Sequence, residues 1–200
     1  DCNRSTMQVE KFTKVLHGYE FFMKDHRVGN DLVLPGVVYL EMAYAAVIHA
    51  GVETPVAGFK EIRFLNPIKL ENVNDSIECE ICLYPSGNVI EFEVLSERKG
   101  ASILHGEGKI LLGEPKAPKK AGLKTEGTEC YKRLRSRGLN LGESFQTIQS
   151  IFSKDNEIFS SLKLPEHLLK EFSRFYLHPS LFDGALETVI GLLSLKNQEN

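Results

Sequence analysis

"DHRVGNDLVLPGVVYLEMA", residues 25–43, leads from a charged turn into an apolar helix, and this stretch decides the fold predicted for the chain. Pro35 favours a helix start, because its missing N–H would have no acceptor there anyway. Gly51 is suited to end the same helix. Between these two residues the apolar side chains cover nearly the whole circumference. A helix of that kind is buried on most sides, so 35–51 is predicted to be a central helix.

The sequence around this helix has the pattern of strands. Residues 9–26 predict one or two strands, and after Gly51 the pattern predicts a run of antiparallel strands at 59–70, 76–85, 88–97 and 101–112. A sheet curled around one apolar helix satisfies that order. The second half repeats the plan, with a short helix at 130–138, paired strands at 145–153 and 156–164, and a second apolar helix at 178–196.

The repeat divides the chain into two predicted units, 1–112 and 130–200. Residues 113–129 are rich in Lys, Pro and Gly and predict a linker between them. Only about two strands are predicted ahead of the second apolar helix. The second unit is therefore expected to be incomplete, with roughly 80 further residues needed by analogy with the first.

Composition excludes several classes of protein. The chain has 200 residues, 42% of them hydrophobic, and a net charge of -3, which does not suit a nucleic-acid binder. No apolar run is long enough to cross a bilayer, and the polar start has no signal-peptide core, so a cytoplasmic protein is expected. Cys79 and Cys82 have a metal-like spacing, but without a second pair they are interpreted as ordinary thiols and no metal site is expected.

Two residues stand out as candidates for chemistry. His26 lies shortly before the helix start at Gly36, where free N–H groups could polarise a carbonyl, and a histidine there could act as a base. The simpler interpretation is a histidine that caps a turn. Asp183 lies one turn into the second apolar helix, with Glu187 on the same face. The simpler interpretation here is a partly exposed acidic stripe.

The segments HRVGNDLVLPG and HPSLFDGALE resemble the two signature motifs of dehydratase domains in bacterial modular polyketide synthases. The first motif, H-x-x-x-G-x-x-x-x-P, is matched by His26 and Pro35. The second, H-P-x-x-x-D-x-x-x-Q/H, is matched by His178, Pro179 and Asp183. YKRLRSRGLNLGESFQ (131–146) is similar to a third family stretch. The Lys-, Glu- and Ile-rich composition is similar to synthases of the trans-acyltransferase type.

The resemblance implies an α+β double hot dog fold, in which each of two buried helices is wrapped by an antiparallel sheet. It implies that His26 removes the α-proton of a β-hydroxyacyl thioester, that Asp183 protonates the departing hydroxyl, and that the Gly36 amide polarises the thioester carbonyl. It implies no cofactor, since the substrate is carried on the phosphopantetheine of an acyl carrier protein. The implied partners are that carrier, other synthase domains and a second copy in a homodimer. The residues implied to contact substrate are Leu34, Pro35, Gly36, Leu141, Phe145 and Glu187.

Four positions depart from the family pattern, namely Asn30, Leu141, Ser144 and Glu187. Glu187 stands where Gln or His usually orients the aspartate, and a carboxylate has no N–H to donate. Two other interpretations remain open within the same fold. One is an enzyme of different activity, either an isomerase that shifts a double bond or a cyclase that forms a pyran ring. The other is a non-catalytic structural domain. The presence of Pro35 and Asp183 favours dehydration over the double-bond shift, whereas the pyran-forming type keeps the dyad and stays open.

Overall fold

A buried helix set against an antiparallel sheet organises each half of the chain. The computed structural model describes residues 2–3, 9–29, 31–98, 100–114, 123–136, 138–154 and 157–196. The helices are α1 (Phe21–Lys24), α2 (Gly36–His49), α3 (Gly127–Ser136) and α4 (Pro179–Lys196), with 3₁₀ helices at Glu143–Phe145 and Glu166–Arg174. The strands are β1 (Cys2–Asn3), β2 (Glu10–His17), β3 (His26–Val28), β4 (Asp31–Val33), β5 (Val56–Phe64), β6 (Lys69–Leu70), β7 (Ser76–Ser86), β8 (Val89–Arg98), β9 (Ala101–Leu112), β10 (Leu123–Glu126), β11 (Leu139–Leu141), β12 (Ile148–Lys154) and β13 (Glu157–Leu162).

The first half is built on a six-stranded sheet in the order β1-β2-β7-β8-β9-β5. Neighbouring strands are antiparallel throughout. In β8 buried and more exposed residues alternate, so that Ile90, Phe92 and Val94 face the core while Glu91 faces outward. This period of two places every second side chain of a strand against α2. The predicted run of antiparallel strands is confirmed.

Helix α2 is the centre of the main core. Its apolar residues are buried around most of the circumference, as the sequence predicted. The helix ends where Gly51 adopts a positive φ of 78°. The N–H of Gly51 bonds the carbonyl of Ile48, and the N–H of Val52 bonds the carbonyl of Val47 at 3.3 Å. These bonds satisfy carbonyls that the helix end leaves open, so the predicted stop at Gly51 is confirmed.

A small second sheet joins the two halves. Its strand order is β11-β3-β4-β6, and β11 comes from the second half of the sequence. Leu141 in β11 pairs with His26 in β3. The turn between β3 and β4 contains Gly29, whose φ of 62° is the left-handed conformation that glycine adopts most easily. Asn30, the next residue, lies outside the described residues.

The second half places α4 against a three-stranded sheet in the order β10-β12-β13. A smaller core forms between this sheet and α3 around Cys130, Leu134, Ile148 and Ile151. The architecture is α+β and has the plan expected of a double hot dog, with a helix set against an antiparallel sheet in each half.

Several predicted boundaries are wrong. The strand predicted at 59–70 is two strands, because Asn66-Pro67 interrupts it between β5 and β6. The linker predicted at 113–129 contains β10 and the start of α3, while 115–122 lie outside the described residues. The strand predicted at 145–153 begins only at Ile148, after a 3₁₀ turn. Residues 9–26 contain α1 as well as strand, and α4 is preceded by three strands of its own sheet rather than two.

The cysteines of the first core are free thiols. Burial raises the pKa of Cys79 to about 12 and that of Cys82 to about 11, which leaves both protonated and unreactive at neutral pH. Among the described residues no group of three potential metal ligands comes together. No helix within the described ranges is long and apolar enough to span a membrane.

Candidate active site

The start of α2 forms one wall of the candidate site. Pro35 precedes the first helical residue, Gly36, whose N–H has no acceptor within the helix. The ring of Phe64 lies over this turn, and a Cβ on Gly36 would come within 2.8 Å of the ring tip. Glycine is therefore the residue that fits beneath Phe64 here.

A cavity of about 330 Å³ opens at this helix start. It brings together residues from both halves of the chain, including His26 from β3 and Asp183 from α4. Its wall is formed by His26, Leu34, Gly36, Tyr39, Phe64, Leu65, Asn66, Pro67, Leu139, Asp183, Leu186 and Glu187. A larger cavity, of about 870 Å³, lies on the charged face of the main sheet and is lined by neither His26 nor Asp183. We therefore assign the chemistry to the smaller cavity.

A hydrogen bond to the backbone determines which nitrogen of His26 carries the proton. Nδ1 lies 2.8 Å from the carbonyl oxygen of Val33, and a carbonyl only accepts, so Nδ1–H is the donor. In the neutral ring Nε2 then keeps its lone pair. The ring packs against that of Phe145, with centroids 5.7 Å apart. This geometry prepares His26 to act as a base through Nε2.

Asp183 is held in place by close contacts between α4 and the start of β12. Thr147 donates its hydroxyl to the carbonyl of Ser180 at 3.1 Å. A Cβ at Gly184 would collide with the Thr147 side chain, so the absence of a side chain at 184 lets the helix approach. Asp183 is consequently fixed one turn into α4 and is only 9% exposed.

The two carboxyls of α4 are both buried and adjacent. Burial raises the pKa of Asp183, and His26 opposes that shift when its ring is protonated. Burial and the charge of Asp183 raise the pKa of Glu187 to about 10. Neither oxygen of Glu187 has a partner of standard hydrogen-bond geometry among the described residues, but the Asp183 carboxyl is close enough for its charge and a side-chain hydrogen bond to help raise the pKa of Glu187.

Burial thus changes the expectation that Glu187 has no hydrogen-bond donor. A carboxylate could not replace the N–H donor of Gln, but with a pKa of about 10 Glu187 is a neutral acid at pH 7. A protonated carboxyl has an O–H to donate. Glu187 can therefore present a donor to Asp183 in the way that a glutamine amide would.

The structure separates the residues predicted to contact substrate into two groups. Leu34, Gly36 and Glu187 line the cavity together with the proposed dyad. Pro35, Leu141 and Phe145 do not line it, and their contact with substrate stays a prediction. Pro35 caps α2, Leu141 packs against both cores, and Phe145 is fully buried behind His26. Phe64, Leu139 and Leu186 also line the cavity and were not predicted, because single apolar residues on strands and helices carry no signal of a cavity wall.

His178, the first residue of the second motif, has a packing role. It is 4% exposed, and its ring lies among Phe21, Phe172 and Phe175, 5.5 Å from the ring of Phe21. Burial lowers its pKa to about 4, so the ring is neutral at pH 7. Its carbonyl accepts the N–H groups of Leu181 and Phe182 at the start of α4.

Fold and site together define a double hot dog protein whose cavity carries one histidine and one aspartate from different halves. A family model described as "Polyketide synthase dehydratase domain" matches residues 3–97, and one described as "Polyketide synthase dehydratase N-terminal domain" matches residues 112–200. The crystal structure of a trans-AT PKS dehydratase domain from Brevibacillus brevis is 31% identical, with a TM-score of 0.78 over 96% of this chain and 72% of that chain. This chain belongs to the polyketide synthase dehydratase family.

Two further comparisons describe its context. Polyketide synthase PksM of Bacillus subtilis (strain 168) is 31% identical over 209 residues, which are 96% of this chain and 5% of that synthase. The dehydratase domain from the CurJ module of curacin polyketide synthase is 20% identical, with a TM-score of 0.81 over 96% of this chain and 70% of that chain, and shares the fold. The chain therefore spans about 5% of that synthase and about 70% of each of the two solved dehydratase domains. The activity of the family is β-hydroxyacyl dehydration, a lyase reaction.

Proposed function

We propose that this chain removes water from a β-hydroxyacyl thioester with His26 as the base and Asp183 as the acid. The observation that carries this proposal is the presence of both side chains in one largely apolar cavity at the start of α2. Leu34, Leu139 and Leu186 supply an apolar wall that suits an acyl chain.

The proposed reaction needs two proton transfers. Nε2 of His26 takes the α-proton, and the electron pair of the C–H bond moves toward the thioester carbonyl. The N–H of Gly36, at the positive end of α2, stabilises the negative charge that develops on that oxygen. The C–O bond then breaks, and the carboxyl of Asp183 gives its proton to the leaving hydroxyl, which departs as water. The imidazolium and the carboxylate return to their starting states by proton exchange.

Two features support these roles. The bond from Nδ1 of His26 to the Val33 carbonyl leaves Nε2 as the basic nitrogen. Burial raises the pKa of Asp183, which keeps an acid available at a pH where an exposed aspartate would have lost its proton. The chemistry is proton transfer throughout, so the proposal includes no metal or redox cofactor.

The proposal also covers the partners of this domain and the form in which the substrate is carried. The relatives are parts of multidomain polyketide synthases, so other synthase domains are partners of this one. The finer proposal is a substrate carried on the phosphopantetheine of an acyl carrier protein, in a cytoplasmic, homodimeric synthase of the trans-acyltransferase type. The Brevibacillus brevis relative, which is described as a trans-AT domain, supports that type.

The test uses the purified chain and a β-hydroxyacyl pantetheine thioester, with mass spectrometry to detect loss of one water. The parent should release water, while His26→Ala and Asp183→Asn should reduce the rate to background and remain folded. His49→Ala and Asp31→Asn, at exposed positions away from the cavity, are the matched controls and should behave as the parent. A His26→Ala or Asp183→Asn variant that dehydrates at the parent rate would disprove the dyad, and a parent that releases no water would disprove the dehydratase function.

A further inference from the structure

Ser144 connects Asp25 and His167 behind the candidate site. Its hydroxyl donates to the Asp25 carboxylate, and Nε2 of His167 lies 3.0 Å from the same hydroxyl oxygen. A hydroxyl has one proton, and here the carboxylate accepts it, so Nε2–H of His167 must be the donor in the second bond. The three side chains form a chain of hydrogen bonds from His167 through Ser144 to Asp25.

The cluster Asp25–Ser144–His167 does not have the arrangement of a hydrolytic site. In a nucleophilic serine the histidine accepts the hydroxyl proton, whereas here that proton goes to a carboxylate. Ser144 is also only 1% exposed, so no substrate reaches its oxygen. The cluster therefore has a structural role within the protein and not a role in binding substrate.

The cluster is attached directly to the neighbours of His26. Asp25 precedes His26 in sequence, and Ser144 precedes Phe145, whose ring packs on the His26 imidazole. The N–H of Gly142 also bonds the carbonyl of Asp25 at 3.0 Å. Gly142 approaches so closely that a Cβ there would lie 2.9 Å from that of Asp25. His26 is thus held between two segments that Ser144 ties together.

We propose that Ser144 is a positioning residue for His26. Its bond to Asp25 fixes the β3–β11 pair, and with it the imidazole and the Phe145 ring that backs it, in the orientation needed for proton removal. This inference rests on the proposed role of His26 as the base.

Removal of the hydroxyl should loosen His26 without altering the cavity wall. In Ser144→Ala the Asp25 carboxylate loses its bond and can turn toward water, which frees the segment that carries the imidazole. Small displacements of a catalytic group lower the rate of chemistry more than they lower binding, so kcat should fall by about tenfold while KM changes by less than about twofold. Ser136→Ala, which removes a hydroxyl bonded to the Arg133 carbonyl at the end of α3, is the control and should match the parent.

The side chain of His167 allows a second, independent pair of variants. His167 is exposed, so substitutions there should not prevent folding. His167→Gln keeps an N–H that can donate to Ser144, whereas His167→Leu has none. We expect the Gln variant to keep most of the parent kcat and the Leu variant to follow Ser144→Ala in direction. If Ser144→Ala fails to fold, this pair carries the test.

An NMR measurement that does not need catalytic turnover tests the positioning of His26 separately from the proposed dehydratase function. Long-range ¹H–¹⁵N spectra report which nitrogen of a neutral histidine carries the proton, and the His26 signals are assigned as those missing in His26→Ala. The parent should show the Nδ1–H form of His26, and Ser144→Ala should show a mixture of both forms. A His26 spectrum unchanged in Ser144→Ala and His167→Leu would overturn the inference whatever the rates are, as would an unchanged kcat in an active domain. A parent that releases no water, yet whose His26 spectrum changes in Ser144→Ala, would overturn the dehydratase function and leave the positioning of the ring intact.

Discussion

The carboxylate of Glu41, in the middle of α2, accepts the backbone N–H of Leu177 just before α4 begins. The N–H of Tyr176 donates to the second carboxylate oxygen at 3.0 Å. The rings of Tyr44 and Tyr176 stack beside this contact, with centroids 5.5 Å apart. A single buried side chain of the first hot dog therefore fixes the segment that leads into the helix of Asp183.

Loss of the Glu41 carboxylate should destabilise the chain. Glu41→Leu leaves two partly buried N–H groups without acceptors, and we expect the free energy of unfolding to fall by about 2 kcal/mol. Glu41→Gln keeps one acceptor oxygen and should lose less. Denaturant unfolding measures both, with the exposed Glu53→Leu as the control. Equal midpoints for Glu41→Leu and the parent would contradict the assigned role.

The exchange of Glu187 for glutamine should leave the reaction largely intact at neutral pH. Protonated Glu187 and Gln both offer a donor to Asp183, whereas Leu offers none. We therefore expect Glu187→Gln to keep most of the rate of water release and Glu187→Leu to lose about tenfold. Initial rates at pH about 7 measure this. Equal rates for Gln and Leu variants would show that Glu187 does not orient Asp183.

Glu187 should also make stability depend on pH. Its pKa is raised from 4.5 to about 10, so between these values the folded chain binds more protons than the unfolded chain. The contribution of Glu187 to stability is therefore lost as the pH rises through this window. Melting temperatures of Glu187→Gln should fall less steeply than those of the parent between pH about 5 and about 9, with Glu53→Gln as control. If melting temperature depends on pH in the same way in Glu187→Gln and in the parent, Glu187 is exposed to solvent and this prediction is wrong.

The close approach at Gly184 predicts a steric effect. In Gly184→Ala the new methyl group meets the Thr147 side chain, and α4 must move away from β12. We expect a loss of about 1–3 kcal/mol in the free energy of unfolding, the usual range for overpacking. Gly58→Ala is the control, because a Cβ at Gly58 meets nothing within 4 Å. A Gly184→Ala variant as stable as Gly58→Ala would contradict this packing.

His178 predicts a loss of stability in acid. Its pKa is lowered from 6.5 to about 4, so the unfolded chain takes up a proton before the folded chain does. Stability associated with His178 is present above pH 6.5 and is lost as the pH falls toward 4. His178→Phe, which fits its aromatic surroundings and cannot titrate, should weaken that loss. Urea midpoints at neutral and acidic pH measure it, and the exposed His49→Phe should leave the acid loss as it is in the parent.

The central helices were predictable because their signals are local. Pro35 and Gly51 mark the ends of α2, and the apolar residues between them show that it is buried. The motifs in the sequence indicated His26 and Asp183, which lie near two such helix starts and line one cavity. Glu41 had a signal that was not used, since a lone acid in an otherwise apolar helix requires a buried partner.

The remaining features depend on contacts between residues far apart in sequence. The pairing of His26 with Leu141 joins two three-residue strands, which are too short to have a recognisable period. The bond between Asp25 and Ser144 spans 119 positions. Neither could be inferred from a single sequence, so the position of Leu141 beside His26 could not be predicted from the sequence either.

The four-stranded sheet β11-β3-β4-β6 has a consequence for how such a domain can be inherited or exchanged. A recombination point in the segment between residues 112 and 123 looks harmless in sequence, since it falls between two repeats. It would nevertheless combine β3 from one parent with β11 from another. The strand that contains His26 would then pair with a strand of a different sequence. Exchange between synthases should therefore succeed when both halves move together as one cassette, and should be penalised when the crossover falls between them.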